Sequence, residues 1–127
     1  RTAANLDALL DALRPLAGSI PLRGFTLEAP HSLPPGAIVI NATSSGLRAT
    51  DAAPLRIDAL PKPAGVYDMI YNPPQTELLR TAAGHGCPVA NGLSMLVHQG
   101  AKSLALWTGA AVPVATMRHA ARIALGL

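Results

Sequence analysis

The strongest constraint on this chain is an order of segments: three short apolar runs, each stopping at a polar or glycine-bearing turn, with helices or long connections between them. Ala37-Ile38-Val39-Ile40 is continuously apolar, which predicts a strand buried on both faces, as parallel strands are. Residues 65–71 read as a second strand, ended by Asn72-Pro73-Pro74, and residues 87–90 as a brief third. Helical spacing predicts a helix over 5–16 on Leu6, Leu9, Leu10, Leu13 and Leu16, with Thr2 as its N-cap. A short helix is expected over 76–84, with Thr76 or Gln75 near its start. A long one follows over 92–108, with Leu93, Leu96, Val97, Ala101 and Leu104 on one stripe and Gly109 closing it. Gly24-Phe25-Thr26-Leu27 is a further strand candidate. Residues 30–35 hold three prolines and are expected to be loop, and residues 44–63 read as a long polar, proline-bearing connection. Pro113 is placed to open a last helix running to Leu125. Strands alternating with helices or long connections are the order of an α/β unit with a mostly parallel sheet. The last two helices have no strand between them, so they are free to reach toward another domain.

Composition narrows the class. With 127 residues and 50% hydrophobic content, there is enough apolar matter for one core. Only 13% of residues are charged, which argues against disorder and leaves apolar surface to lie against something else. The net charge of +3 comes from basic residues scattered singly, which gives nucleic-acid binding no support. Cys87 is the single cysteine and cannot form an intramolecular disulfide. No apolar stretch approaches the roughly 20 residues that span a bilayer, and no signal peptide is visible, so the expected location is cytoplasmic. The chain begins at Arg1 and enters helical periodicity almost at once, as expected of a piece of a longer protein.

In open α/β sheets ligands bind beyond the carboxyl ends of the strands. Three segments fall at such ends: Asn41-Ala42-Thr43-Ser44-Ser45-Gly46, Asp68-Met69-Ile70-Tyr71-Asn72-Pro73, and Asn91-Gly92-Leu93-Ser94-Met95-Leu96-Val97-His98-Gln99. Adjacent parallel strands would bring all three to one rim. Their residue types alone do not set them apart, since Asn, Ser, Gly and Pro are ordinary turn and cap residues. His31, His85, His98 and His119 show no metal-ligand spacing. Cys87 reads as an inert buried thiol, and Asp68 as a strand-end hydrogen-bonding residue rather than a general base.

Taken together and in order, these segments resemble the shikimate dehydrogenase family. The residues that carry the resemblance are the Asn41–Gly46 and Gly92–Gln99 stretches quoted above and Tyr67-Asp68-Met69-Ile70-Tyr71-Asn72-Pro73, with Leu106-Trp107-Thr108-Gly109 at the family's spacing. The resemblance implies an NADP-dependent enzyme that reversibly reduces 3-dehydroshikimate to shikimate in chorismate and aromatic amino-acid biosynthesis. It implies a Rossmann-like NADP domain preceded by a catalytic α/β domain. Residues 1–127 are expected to be the C-terminal part of that cofactor domain, with its first strand and Gly-rich loop absent. Within it, residues 110–127 correspond to a helix that in the family packs on the N-terminal domain.

Site residues follow from the same resemblance. Arg1 and Thr2 match the end of the family's Asn-Arg-Thr motif, where an arginine faces the adenosine 2′-phosphate; a guanidinium can hold a phosphate through a planar fork. The family often has a second basic residue where Asn5 stands, which bears on the strength of the NADP preference. Met69 matches the apolar residue placed against the nicotinamide, where a thioether can exclude water from the hydride path. Gly92 matches the glycine whose backbone approaches the nicotinamide carboxamide, where a Cβ would obstruct contact. Tyr71 and Gln99 match positions that contact shikimate, and a glutamine can both donate to and accept from the hydroxyls of a polyol. The family's Asp-Gly appears as Asn91-Gly92, and Ser94 replaces a usual glycine.

The proton donor that reduction of a ketone needs is, in this family, supplied by a Lys and an Asp of the N-terminal domain. No catalytic residue is therefore assigned to this chain, no metal is expected, and these residues alone are expected to be inactive. Two other readings stand beside the first. One is a quinate/shikimate dehydrogenase paralogue. The other is a non-catalytic Rossmann-like association domain, whose apolar surface and open sheet edge would serve a partner or a homodimer.

Overall fold

The structure is a computed structural model that describes residues 2–26 and 32–127. It divides into two compact units, Arg1–Ser32 and Leu33–Leu127.

The first unit is built on helix α1, Ala3–Ala17. Thr2 is its N-cap, as expected, and its hydroxyl accepts from the Asn5 amide at 3.4 Å. The leucine stripe gathers an extended segment instead of a deep core, for no residue of α1 is buried. A Cβ on Gly24 would lie 2.7 Å from Leu10 Cδ1 and 2.9 Å from Leu6, so the backbone runs directly over these side chains. This corrects the expected strand at Gly24: residues 24–26 lie along the helix and are not part of the described sheet, and Leu27 falls outside the described residues.

The second unit holds a sheet of three parallel strands in the order β1-β2-β3. They are β1 (Ile38–Asn41), β2 (Gly65–Asp68) and β3 (Val89–Asn91). The strand ends differ from expectation for local reasons. β2 stops at Asp68 because the next free amide, that of Ile70, turns back to the Asp68 carboxylate at 3.0 Å. β3 starts late because the Cys87 amide donates to Ala82 O at 3.0 Å, which makes Cys87 part of the preceding helix's closing turn.

Helix α2, Glu77–Gly84, packs on β2 and β3. Thr76 caps it, and its first turn carries the Glu77–Arg80 ion pair. The core comprises Ile57, Val66, Leu78, Leu79, Ala82 and Cys87. Burying a leucine such as Leu78 contributes roughly 1.5–3 kcal/mol. Ile57 is the unexpected member. It belongs to a single 3₁₀ turn, Ile57–Ala59, inside the connection read as a polar linker, and its exposure is 0%.

Strand β1 is also not what its apolar run predicts. Val39 packs toward the core, but Ile38 is 67% and Ile40 62% exposed. The expectation of burial on both faces is thus overturned: α2 and the 3₁₀ turn cover one face, and the alternate side chains of β1 point to the other.

Helix α3, Leu93–Thr108, buries Leu93, Val97 and Ala101, while Leu96 is half-buried and Leu104 more exposed. Gly109, with φ 67°, closes it as expected. Helix α4, Val114–Ala124, packs against α3, with Pro113 at its N-cap. Arg118 of α4 donates to Ser94 Oγ at 3.2 Å and lies 3.0 Å from His98 Nε2. Among the described residues no helix is long and apolar enough to cross a membrane.

Candidate functional site

The sheet register sets the site. Asn41 pairs with Asp68, and Asp68 with Asn91, so the three strands end level on one row of polar residues. Each residue of the row organises the turn that follows it. The Asn41 side-chain oxygen accepts from the Thr43 amide at 3.0 Å and the Thr43 hydroxyl at 2.7 Å, while its Nδ2 donates to Ser45 O at 3.2 Å. Asn91 Oδ1 accepts from the Leu93 amide at 3.1 Å, opening α3. These are local side-chain turns of the kind that make Asn and Asp common at element ends.

The turns are also tied to one another. Asn41 Nδ2 donates to Asp68 Oδ1 at 3.0 Å, and the Met69 amide to Asn41 O at 3.0 Å. On the other side, Asn91 Nδ2 reaches Pro74 O at 2.8 Å and the Gly92 amide reaches Ile70 O at 3.2 Å. Gly46 has φ 113°, a conformation that favours glycine, and a Cβ there would meet Ile70 and Thr76 at 3.3 Å.

Between the first two turns lies a cleft of about 510 Å³, lined by Ala42, Thr43, Ser44 and Leu47 on one wall and Met69, Ile70, Tyr71 and Asn72 on the other. Met69 and Tyr71 are each 37% exposed, so both offer side-chain surface at the rim. Thr43 belongs to the first strand-end segment quoted from the sequence; Leu47 does not, and its place just past that segment is the signal that could have found it. Beside this cleft, Asp51 Oδ2 accepts from the Arg48 amide at 3.0 Å and the Gly46 amide at 3.2 Å. These hydrogen bonds, that from Arg48 first, hold its pKa below the usual aspartate value.

The other sequence candidates fall elsewhere. Gly92 is buried behind the cleft, where a Cβ would lie 1.9 Å from Met69 O. Close approach is therefore required there by the chain's own backbone. Gln99 is exposed on α3 and does not line the cleft. Thr2 is the cap of α1, and Arg1 lies outside the described residues. Asp68, read as a strand-end hydrogen-bonding residue, is one, and Cys87 is buried in the core.

The chain is similar in sequence and fold to known proteins. Residues 92–122 match the sequence profile of the shikimate 5′-dehydrogenase C-terminal domain. The shikimate dehydrogenase (NADP(+)) of Magnetococcus marinus is 37% identical over 96% of the chain and 43% of its own length. The solved shikimate 5-dehydrogenase of Thermus thermophilus, in complex with NADP(H) and shikimate, matches with a TM-score of 0.63 at 40% identity, over 69% of this chain and 34% of that one. Quinate dehydrogenase of Corynebacterium glutamicum, in complex with NAD, matches with a TM-score of 0.70 at 28% identity, over 91% and 42%. The chain thus spans less than half the length of the relatives it matches. It belongs to the shikimate dehydrogenase family, as the C-terminal part of such a protein.

Proposed function

We propose that this chain is the NADP-binding C-terminal part of a shikimate dehydrogenase, which reversibly reduces 3-dehydroshikimate to shikimate. The observation that carries the reading is the level row of strand ends, which sets Met69 and Tyr71 on one wall of the cleft and Thr43 on the other. That is where an open α/β sheet accepts a dinucleotide. The residues present fit a nicotinamide: an accessible thioether and a phenol at the lip of a cleft, held on a hydrogen-bonded frame. When bound, the cofactor supplies the hydride.

The chain's own residues then bind, orient and shield. Met69 would pack against the nicotinamide and keep water from the transfer path. Gly92 lets the backbone beneath Met69 close up, which fixes the height of that wall. Tyr71 would offer a hydroxyl to the substrate at the cleft, and Gln99, exposed on α3 outside the cleft lining, would add an amide where the substrate extends beyond it. By the family resemblance Arg1 would supply a guanidinium for the 2′-phosphate, and Thr2 caps α1. Proton transfer to the carbonyl oxygen belongs to a Lys and an Asp of an N-terminal catalytic domain, on which residues 110–127 pack. A cytoplasmic enzyme, forming a homodimer through its apolar surface, completes this reading.

The quinate dehydrogenase likeness, which extends over 91% of the chain, favours one alternative, a quinate/shikimate enzyme. Assays of the full-length enzyme with shikimate and quinate, each with NADP and NAD, separate the two. Gln99→Ala in that enzyme is expected to lower kcat/KM for shikimate several-fold, the loss of about one neutral hydrogen bond at 0.5–1.5 kcal/mol, with KM for NADP unchanged. Oxidation of neither polyol by the wild type would end the reading.

A further inference from the structure

Asp68 is a fully buried acid that the proposed chemistry does not use, with an exposure of 0%. Its carboxylate nonetheless gathers three donors from three parts of the site. Oδ1 accepts from Asn41 Nδ2 at 3.0 Å and from the Ile70 amide at 3.0 Å. Oδ2 accepts from Thr76 Oγ1 at 2.6 Å. Ile70 and Thr76 lie near the two ends of the loop that carries Met69 and Tyr71, and Asn41 holds the opposite wall of the cleft through Thr43. One side chain therefore joins the start of the loop, its end and the facing wall.

We infer that Asp68 is the positioning residue of this site: through Ile70, Thr76 and Asn41 it sets where Met69 and Tyr71 stand relative to the Thr43 wall. This rests on the nicotinamide-site reading above. The residue type suits the task. A carboxylate is acceptor-only and offers about four lone-pair sites on two oxygens, enough for three converging donors. Its place beside the capped N-terminus of α2 also favours a negative group. Asparagine would not substitute. Thr76 Oγ1 already accepts from the Leu79 amide at 3.4 Å, so its own proton needs an acceptor, which an amide nitrogen at the Oδ2 position cannot be.

The test compares Asp68→Asn, Thr76→Val and the hydroxyl-preserving Thr76→Ser in the full-length enzyme. Cys87→Ala is the control, a core change away from the loop. Readouts are kcat, NADPH binding, thermal midpoint and the methyl resonance of Met69 in methionine-labelled enzyme. Misplacing a wall of the site by a fraction of an ångström to an ångström should lower kcat about ten- to a hundred-fold for Asp68→Asn. Thr76→Val should follow in the same direction, Thr76→Ser should stay within about twofold of wild type by keeping the bond, and NADPH binding should change far less than kcat. The Met69 methyl should shift or broaden in Asp68→Asn and Thr76→Val but stay as it is in Cys87→Ala. If Asp68→Asn only lowers the thermal midpoint, as Cys87→Ala does, with kcat and the Met69 methyl unmoved, Asp68 is merely structural and the inference falls. If instead the wild type oxidises no polyol, the functional reading falls, and the methyl resonance alone still decides whether Asp68 positions the loop.

Discussion

Alternate residues of β1 have opposite surroundings. Val39 packs toward the core under α2, whereas Ile38 and Ile40, its neighbours on either side, are largely exposed. Along β2 the covered side carries Val66 and Asp68, both buried. An apolar residue on one side of this sheet packs against the core, and on the other it is surface. An apolar run reports what a strand can lie between. It does not report how many layers lie on it.

The contrast between the two faces can be broken by mutation. Leu78→Ala, on the covered side, should destabilise the 127-residue chain by about 2–5 kcal/mol, whereas Ile40→Ala should change stability by no more than about 0.5 kcal/mol. Urea midpoints at an unchanged slope measure both. Equal costs would mean that the exposed face is packed after all.

A smaller effect tests whether close packing reaches the strand ends. Gly92 has φ −73° and ψ −2°, which alanine adopts freely, so Gly92→Ala introduces no backbone strain. It introduces only a Cβ at 1.9 Å from Met69 O, and the backbone must move. Overpacking of this kind costs about 1–3 kcal/mol. An alanine variant with wild-type stability would show that the rim yields as readily as the exposed face.

The smallest effect belongs to Asp51, a half-buried acid in the turn beside the cleft. Its folded pKa lies below its unfolded one, so its stabilising contribution is present above the unfolded value and is lost as pH falls through the folded value. Wild-type stability should therefore drop slightly further than that of Asp51→Asn between neutral pH and about pH 3, with the difference developing below about pH 4. Superimposable acid limbs would show that the two backbone amides are held as well without the charge.

Much of this architecture was legible. The helices were found from leucine spacing and from Thr2, Thr76 and Gly109 at their ends, because caps and periodicity are local properties. The three strand-end segments were legible as a rim because parallel order puts carboxyl ends together. What escaped was non-local. Ile57 looks like one apolar residue in a polar linker, and only the packed core shows that it is wholly buried there. Gly24-Phe25-Thr26 has strand-like residues but is no strand of the described sheet. Gly92 was legible as a position intolerant of a side chain, yet the atom that excludes one is the Met69 carbonyl, twenty-three residues upstream.

The level ending of the three strands has a consequence for how the chain tolerates insertions and deletions. Side chains alternate along a strand, so adding or removing one residue inside β1 would turn Asn41 away from Asp68 and bring Ile40 or Ala42, respectively, into its place. The sheet could still form, since its backbone bonds do not depend on which residue supplies them. The Asn41–Asp68 bond and the Thr43 turn would nevertheless be lost in a single step. Frame along the strand and shape of the cleft are therefore one variable. Length changes in this region should accumulate in the connection between the 3₁₀ turn and β2, or ahead of Ala37, and leave the four residues of β1 uninterrupted.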